Sequence, residues 1–167
     1  GENDVYEYPE KCPACESAVV REDGESAIRC VNPDCPAQLL RKLIHFCSRD
    51  AMDIEGLGSA VLEQLVNENL ISKASDIYRL NPMDLVSLER MGEKSTFNLL
   101  DAIEKSKEND LSKLLFALGI RHIGAKAGKL LSEHFGDIDA ILNASAEDFE
   151  KIEGFGSILA QSAADFF

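Results

Sequence analysis

The sequence has no tryptophan and few aromatic residues, which together make up 7% of the chain. Leucine, alanine, glutamate and lysine are frequent instead, and these residues have high helix propensity. With 167 residues, of which 45% are hydrophobic, the chain is long enough to bury a substantial core. The composition therefore predicts a mainly α-helical protein of one domain, or of one domain with a small annex.

Positive charge is also scarce, because 17 Lys and Arg residues stand against 30 Asp and Glu residues and give a formal net charge of -13. This balance favours solubility and disfavours an anionic membrane surface. It also argues against the usual nucleic-acid binder, which carries a basic patch. Any binding of phosphates by this chain therefore needs donors other than a general excess of cations.

No apolar run approaches the roughly 20 residues of a membrane-spanning helix, and the first residues lack the pattern of a signal peptide. The chain starts at Gly1 without an initiator methionine, and we expect it to be a piece of a longer protein. Its five cysteines, an odd number, are more typical of a reducing cytosol than of a disulfide framework. We expect a cytoplasmic monomer with no membrane association.

Four of the cysteines form two closely spaced pairs. Between the pairs, an Asp23-Gly24 turn would join Val19-Val20 to Ala27-Ile28 as a hairpin. Two thiolates from each pair complete the tetrahedron that Zn²⁺ prefers, so the pattern predicts a structural zinc ribbon. The alternatives are two disulfides or unliganded thiols. The predicted ligands are Cys12, Cys15, Cys30 and Cys35.

The fifth cysteine belongs to a predicted amphipathic helix over residues 38–47, which follows a helix-starting proline at Pro36. Cys47 lies four residues after Leu43 on the apolar face, which favours a buried core thiol over a fifth ligand or a reactive cysteine. His45 has no evident partner, and we assign it no chemical role. We divide the chain into a linker over 1–11, a zinc finger over 12–36 and a helical domain over 37–167.

The helical region is spaced by a glycine turn that occurs four times. Aligned on the last glycine, the copies end at Gly58, Gly92, Gly124 and Gly156, at intervals of 34, 32 and 32 residues. A period of this length is typical of repeated structural units. An apolar residue follows each glycine by seven positions, and in three copies a small residue follows it by four, so both lie on one helix face. The repeat predicts four units of helix, tight turn and helix.

Turn and capping residues place the remaining helices. Asn81 before Pro82 predicts a helix start with Asn81 as its N-cap. The predicted helices cover residues 59–69, 72–79, a short segment from 82, 93–107, 111–118, 125–135, 138–142, 146–152 and 157–167.

A glycine turn that opens a helix directs unpaired backbone N–H groups outward at the positive end of the helix dipole. Such a site holds a phosphate without side-chain charge, so an acidic chain can bind DNA through amides and a few local cations. Four copies favour this over glycines that serve packing only, and backbone contacts predict binding without sequence preference. The predicted DNA-binding residues are Gly56, Gly58, Arg90, Gly92, Lys94, Arg121, Gly124, Lys126, Lys129, Gly154 and Gly156.

The second and third turns have Arg90 and His122 where the other two have their first glycine. We expect these two turns either to be looser, or to use the Arg90 and His122 side chains to contact a phosphate or the DNA groove. The first turn has Glu55 beside it and no Lys or Arg in its first helical turn. We therefore expect the first hairpin to pack against the zinc-side helix while the later hairpins hold DNA more strongly.

Four longer strings of the sequence carry a resemblance to a known family. The form apolar-x-Gly-apolar-Gly resembles helix-hairpin-helix motifs, and four of these behind a four-cysteine ribbon resemble the C-terminal half of bacterial NAD⁺-dependent DNA ligases. The resemblance covers the chain from Cys12 to Phe167 and implies a compact array of four helix-hairpin-helix motifs. The strings are Cys30-x-Asn32-x-x-Cys35-Pro36-Ala37-Gln38, His45-Phe46-x-Ser48-Arg49-x-Ala51-Met52, Leu88-Glu89-Arg90-Met91-Gly92-x-Lys94-Ser95 and Leu118-Gly119-Ile120-Arg121-His122-Ile123-Gly124.

The resemblance implies a parent enzyme that seals 5′-phosphate, 3′-hydroxyl nicks in replication and repair. Such an enzyme attacks NAD⁺ with a lysine, carries AMP on it, passes the AMP to the 5′-phosphate and joins the ends with Mg²⁺. The family's zinc and hairpin domains help to encircle nicked double-stranded DNA and to grip its minor groove. The implied partners of this chain are nicked DNA and the remaining ligase domains.

The adenylation motif of that family, Lys-x-Asp-Gly, does not occur in this sequence. Arg21-Glu22-Asp23-Gly24 is similar, but an arginine stays protonated and cannot be the nucleophile. The nucleotide-binding, oligonucleotide-fold and BRCT regions have no counterpart either. We therefore expect no ligation by this chain alone, with NAD⁺ and Mg²⁺ bound outside it.

Two other functions fit part of the pattern. A helix-hairpin-helix DNA glycosylase would need a catalytic Asp or Lys near one hairpin, for which Asp137, Asp139 and Lys126 are candidates. Four equivalent turns and the shortage of aromatic residues for a base pocket disfavour it. A protein-docking scaffold would use the turns for packing only.

Overall fold

In the computed structural model, the described residues are 8–167 without 22, 25, 33 and 34, so that most of the predicted linker lies outside them. This part of the chain is mainly helical, as predicted, with one two-stranded sheet. No helix in it is long and apolar enough to cross a membrane. The strands are β1 (Val19–Arg21) and β2 (Ile28–Cys30). The helices are α1 (Pro36–Cys47), α2 (Ser59–Asn67), a 3-10 helix (Ala74–Arg79), α3 (Pro82–Val86), α4 (Glu93–Ser106), α5 (Leu111–Ala117), α6 (Ala125–Phe135), α7 (Ile138–Leu142), α8 (Ala146–Glu150) and α9 (Ser157–Phe166).

The two strands form the antiparallel hairpin that the sequence predicts. Gly24 lies in the connecting turn with φ +86°, a left-handed conformation that glycine adopts at low cost. The register places Val19 opposite Cys30 and Val20 opposite Arg29. Ala27, which the sequence assigns to the second strand, precedes it. The pairing brings Cys30 close to the segment that contains Cys12 and Cys15.

The helix boundaries agree with the predicted ones to within two residues. The two-residue differences are at the start of α1, the start of the 3-10 helix, the end of α8 and the end of α2. The predicted helix continues to Asn69, whereas α2 ends at Asn67. Asn69 adopts a left-handed conformation with φ +58°, and the N–H of Leu70 donates to the carbonyl of Leu65 at 2.9 Å. These are the features of a Schellman-type helix end. The early termination therefore follows from the ability of asparagine to adopt this conformation.

Several acidic residues serve as helix caps. Asp110 and Asp137 are the N-caps of α5 and α7, and Asp148 forms a capping box with Ser145 at the start of α8. A hydrogen bond from the Ser112 hydroxyl lowers the pKa of Asp110, and one from the Ser145 N–H lowers the pKa of Asp148. Part of the negative charge of the chain is thus explained by local folding.

The buried side chains form two clusters, which divide the four glycine turns into two pairs. The first cluster is built by α1 to α4 with the 3-10 helix, and it contains the first two turns. The second is built mainly by α5 to α9 and contains the last two turns. Helix α5 contributes to both, with Ala117 in the first cluster and Leu115 in the second.

Cys47 lies in the first cluster, as predicted for a core thiol. It is 6% exposed. Burial raises the pKa of its thiol to about 12, because the charged thiolate would lose its hydration. Cys47 is therefore neutral and poorly reactive at physiological pH.

Helices α5 and α6 approach each other closely at Gly128. A Cβ atom built there would lie 3.4 Å from the carbonyl oxygen of Ser112 and 3.5 Å from the Cβ of Leu115. The equivalent positions after the second and fourth turns are Thr96 and Ala160, and both are buried. Small residues at this position thus allow close packing beside the turns, as the sequence repeat indicates.

We predict that Gly128→Leu destabilises the protein by roughly 2 kcal/mol, because its branches have no space against α5. Gly128→Ala is the matched control, since its methyl group makes contacts of ordinary length and improves helix propensity. Urea unfolding followed by circular dichroism would measure both. Equal stability of Gly128→Leu and wild type would contradict this view of the interface.

Candidate metal centre and nucleic-acid interface

The four predicted zinc ligands come together in one cluster. Their Sγ atoms all lie within 4.8 Å of one another, with Cys12 to Cys35 at 3.8 Å and Cys15 to Cys30 at 3.5 Å. Four thiolates around Zn²⁺ at about 2.3 Å would be separated by about 3.8 Å, so the cluster fits a tetrahedral ion. All five cysteines lie in the described part, and none forms a disulfide. The four sulfur atoms leave no open coordination position, which makes the centre structural.

The local environment affects Cys15 and Cys30 in opposite directions. A hydrogen bond from the Ser17 side chain, helped by others, lowers the pKa of Cys15 to about 6. The N–H of Asn32 favours ionisation of Cys30, but desolvation and the neighbouring thiols outweigh it and raise the pKa of Cys30 to about 12. The Cys15 thiolate thus forms readily, whereas ionisation of Cys30 needs the positive charge of a bound metal ion.

The metal centre also determines where the helical region begins. Cys35 is fully buried and is the N-cap of α1, whose first turn has the carbonyl of Cys35 bonded to the N–H of Leu39 at 3.0 Å. The Gln38 side chain donates to the carbonyl of Cys30 at the end of β2. Binding of a metal ion by Cys30 and Cys35 would therefore hold the start of α1 against the ribbon.

The four glycine turns have the same backbone geometry. In each, a buried apolar residue accepts a hydrogen bond from the residue three positions later, at distances of 3.0 to 3.3 Å. The last glycine is extended and is the N-cap of the following helix, with φ between -76° and -98°. The residue two positions before it is left-handed, with φ +88° at Gly56, +62° at Arg90, +66° at His122 and +86° at Gly154.

The second and third turns are therefore not looser than the others, which corrects one of our two expectations. Arg90 and His122 adopt the conformation that glycine adopts in the first and fourth turns. Such a conformation costs a non-glycine residue on the order of 1 kcal/mol. The apolar residues that flank each turn compensate for it, since Leu88 and Ile120 are each 4% exposed. The burial of these anchors holds the turn in one shape.

The last glycine of each turn has no conformational reason to be glycine, because its φ is negative and extended. It has no packing reason either, since a Cβ atom at Gly58, Gly92, Gly124 or Gly156 would meet nothing within 4 Å. All four glycines are exposed. A side chain is thus absent at the four places where an external group could approach the helix N-termini.

The first and second turns pack against each other's helices. Gly56 of the first turn lies against Leu99 of α4, where a Cβ atom would be 3.7 Å from Leu99 Cδ1. In return, the N–H of Glu89 in the second turn donates to the Gln64 side chain of α2 at 2.9 Å. The fourth turn similarly places Gly154 against Leu130 of α6, with 3.4 Å to Leu130 Cδ1. The turns are therefore arranged as two pairs.

All of the predicted DNA-binding residues are exposed. Lys94 and Lys126 occupy the same position, two residues after the last glycine of the second and third turns. At this position the first turn has Ala60 and the fourth has Ile158. The third turn also has Lys129 nearby, one helical turn after Lys126. The local cations are thus concentrated at the second and third turns, and whether these residues contact DNA stays a prediction.

The sequence did not indicate two polar contacts that join α1 and the segment before the first turn to the two ends of α5. The Nε2–H of His45 on α1 donates to the carbonyl of Phe116 at 2.8 Å, and the Asn109 side chain donates to the carbonyl of Met52 at 2.8 Å. The assignment of no role to His45 is therefore incomplete, because this residue has a structural one. Both partners are backbone carbonyls far away in sequence, which no local pattern reveals.

Comparison with known proteins agrees with this architecture. Residues 11–37 match the family described as the NAD-dependent DNA ligase C4 zinc finger domain, and residues 113–167 match the helix-hairpin-helix motif. The second match contains the third and fourth turns. The chain therefore combines a match to a C4 zinc finger domain with a match to a helix-hairpin-helix motif.

The relatives define the family more closely. The chain is 50% identical over 167 residues to a DNA ligase of Clostridioides difficile and 52% identical over 167 residues to one of Bacillus pumilus. It is 52% identical over 169 residues to a DNA ligase of Acetivibrio thermocellus. All of the chain is covered, but only 25%, 25% and 26% of these relatives. The chain is thus similar over its whole length to about a quarter of each of these bacterial DNA ligases, which confirms the resemblance.

We predict that the protein binds one zinc ion per chain. Cys30→Ala should lose the zinc and Cys47→Ala should retain it, because Cys30 is one of the four clustered cysteines and Cys47 is not. Since bound thiolates must stay deprotonated, protons compete with the metal, and zinc should be released as the pH falls from about 8 to about 5. A chromogenic zinc chelator would measure both effects. Folded protein with a zinc stoichiometry near zero would contradict the assignment of the centre.

Proposed function

We propose that this chain is a DNA-gripping module that binds nicked double-stranded DNA through its phosphate backbone, from the minor-groove side and without sequence preference. It would work within an NAD⁺-dependent DNA ligase that seals 5′-phosphate, 3′-hydroxyl nicks in replication and repair. The ligase relatives and the two family matches support this assignment. The chain would hold DNA without joining it, because it has no Lys-x-Asp-Gly motif.

The observation that carries the proposal is the open space at the last glycine of each turn. These glycines are needed neither by the backbone conformation nor by packing. Each precedes a helix whose first N–H groups have no partner within the helix. A phosphate oxygen can approach such amides closely only where no side chain blocks it. Repetition of this arrangement in four turns is readily explained by a partner with repeated phosphates.

The charge distribution supports the same view. In a chain of net charge -13, Lys94 and Lys126 occupy equivalent positions beside the second and third turns. Some of the acidic residues are used as helix caps instead, such as Asp110 and Asp137. The cap role of Asp137 also weakens the glycosylase alternative, for which it was a catalytic candidate. We expect the third turn to contribute most to binding, and the first hairpin to contribute mainly through packing.

The zinc finger would have a supporting role in this proposal. Zn²⁺ held by Cys12, Cys15, Cys30 and Cys35 would neutralise thiolate charge and tie the ribbon to the start of α1. NAD⁺ and Mg²⁺ would act in other parts of the ligase. We also propose domain boundaries at 1–11, 12–36 and 37–167, the other ligase domains as partners, a monomeric state and a cytoplasmic location in association with the bacterial nucleoid.

We predict that Gly124→Asp weakens binding to nicked duplex by about tenfold, because a carboxylate at this place repels phosphate and occupies its approach. Gly124→Asn is the matched control of equal size without charge, and it should lose less. Both side chains have space, and both residues are good N-caps, so folding should be preserved. Fluorescence anisotropy at low salt measures the affinity. Unchanged affinity in folded Gly124→Asp would refute the amide mechanism.

We also predict that Lys126→Ala makes the negative slope of log K against log salt shallower by roughly 1, as expected for one lost phosphate contact. Lys105→Ala is the control, since Lys105 lies near the C-terminus of α4, far along the helix from the second turn, and pairs with Asp101 at 3.0 Å. It should leave the slope unchanged. If wild-type protein bound no duplex at low salt, the protein-docking scaffold would become the better hypothesis.

A further inference from the structure

Two side chains outside the glycine turns connect the two halves of the helical region. His45 lies on α1, in the first cluster, and Asn109 immediately precedes the N-cap of α5. Each donates a hydrogen bond of 2.8 Å to a backbone carbonyl more than 50 positions away in the chain, at sequence separations of 71 and 57. Both bonds join the segment that leads to the first turn to the segment that leads to the third.

The bond from His45 fixes the last turn of α5. The carbonyl of Phe116 is near the C-terminus of this helix, where carbonyls lack helical partners. It accepts from the N–H of Gly119 at 3.1 Å and from His45 Nε2 at 2.8 Å. A carbonyl can only accept, so Nε2 carries a proton. The imidazole also packs edge-on against the Phe116 ring, with 4.9 Å between centroids.

The same imidazole lies against Gly119, the residue directly before the third turn. A Cβ atom at Gly119 would be 3.5 Å from His45 Cδ2, and Gly119 itself is left-handed with φ +64°. Ile120, the first buried anchor of the third turn, follows directly. His45 therefore contacts the backbone within one residue of a turn that we propose to bind DNA.

The bond from Asn109 fixes the other end of α5. Its Nδ2 donates to the carbonyl of Met52, two residues before the first anchor of the first turn, Ile54. Helix α5 is short, about 10 Å long for seven residues. Two hydrogen bonds at its opposite ends therefore restrict both its position and its tilt relative to the first turn.

Apolar packing between α5 and the first cluster would restrain the position of α5 less than the two hydrogen bonds do. Ala117 is the only fully buried residue that α5 adds to the first cluster in the described part, with Leu114 and Phe116 partly buried there. Dispersion and burial are not directional, so small shifts of α5 along α1 would cost little. Hydrogen bonds depend steeply on distance and angle, and they oppose such shifts.

We propose that His45 and Asn109 are positioning residues that set the spacing between the first and second turns on one side and the third and fourth turns on the other. The inference rests on the proposed function, in which all four turns hold one duplex. Several weak phosphate contacts add up only when their spacing matches that of the DNA. Loss of the two bonds would therefore reduce binding across both pairs without altering any turn.

The test compares His45→Phe, which keeps an aromatic ring but has no donor, with His45→Gln, which restores a donor at similar reach. Binding is measured on a duplex of about 21 base pairs and on a hairpin whose stem of about 5 base pairs is kept paired by its loop; these duplexes span roughly two turns and half a turn of the double helix. Zinc content and urea unfolding confirm that each variant is folded. Asn109→Ala is tested in the same way.

We expect His45→Phe to bind the long duplex about fivefold more weakly, the effect of one lost hydrogen bond. Its affinity for the short duplex, which reaches one pair of turns, should be unchanged, and His45→Gln should recover most of the loss. Equal affinity of His45→Phe and wild type for the long duplex would overturn the inference alone, as would an equal loss on both lengths. Failure of wild-type protein to bind either duplex would instead overturn the proposed function and this inference with it.

Discussion

The structure depends on a local constraint that is repeated four times: two apolar residues, three positions apart, hold a hydrogen-bonded turn whose third residue is left-handed, and all of these anchors are buried except the half-buried Met91. Ile54 and Leu57 are the anchors of the first turn, and each is 3% exposed. In the second and third turns, burial of anchors such as Leu88 and Ile120 is worth more than the cost of a left-handed residue, so Arg90 and His122 can take the position that glycine has in the other turns. The extended N-cap that follows the turn then directs the first helical amides toward solvent.

This construction explains how an acidic protein can be suited to an anionic partner. Carboxylates such as Asp110 and Asp137 cap the N-termini of α5 and α7, whereas the N-caps at the end of the four turns are glycines with no side chain to do so. The amides after these glycines keep their positive potential for an outside ligand. Net charge therefore matters less here than which helix starts are capped and which are open.

The zinc centre and α5 organise the parts that carry the turns. Cys35 is both a member of the sulfur cluster and the N-cap of α1, so the ribbon and the first helix form one unit. From α1, His45 reaches the end of α5, and α5 in turn packs closely on α6 at Gly128. A continuous series of contacts thus leads from the metal centre to the third turn.

The sequence by itself determined the four cysteine ligands, the four turns and most helix boundaries, because each depends on residues close together in the chain. The spacing of Cys12 and Cys15, or the interval from Gly124 to Gly156, is such a local signal. Only the tertiary structure decided that the turns form two pairs, that the last glycines face open space and that His45 bonds to Phe116. These features depend on which distant backbone groups meet after folding, and periodicity and propensity contain no information on that.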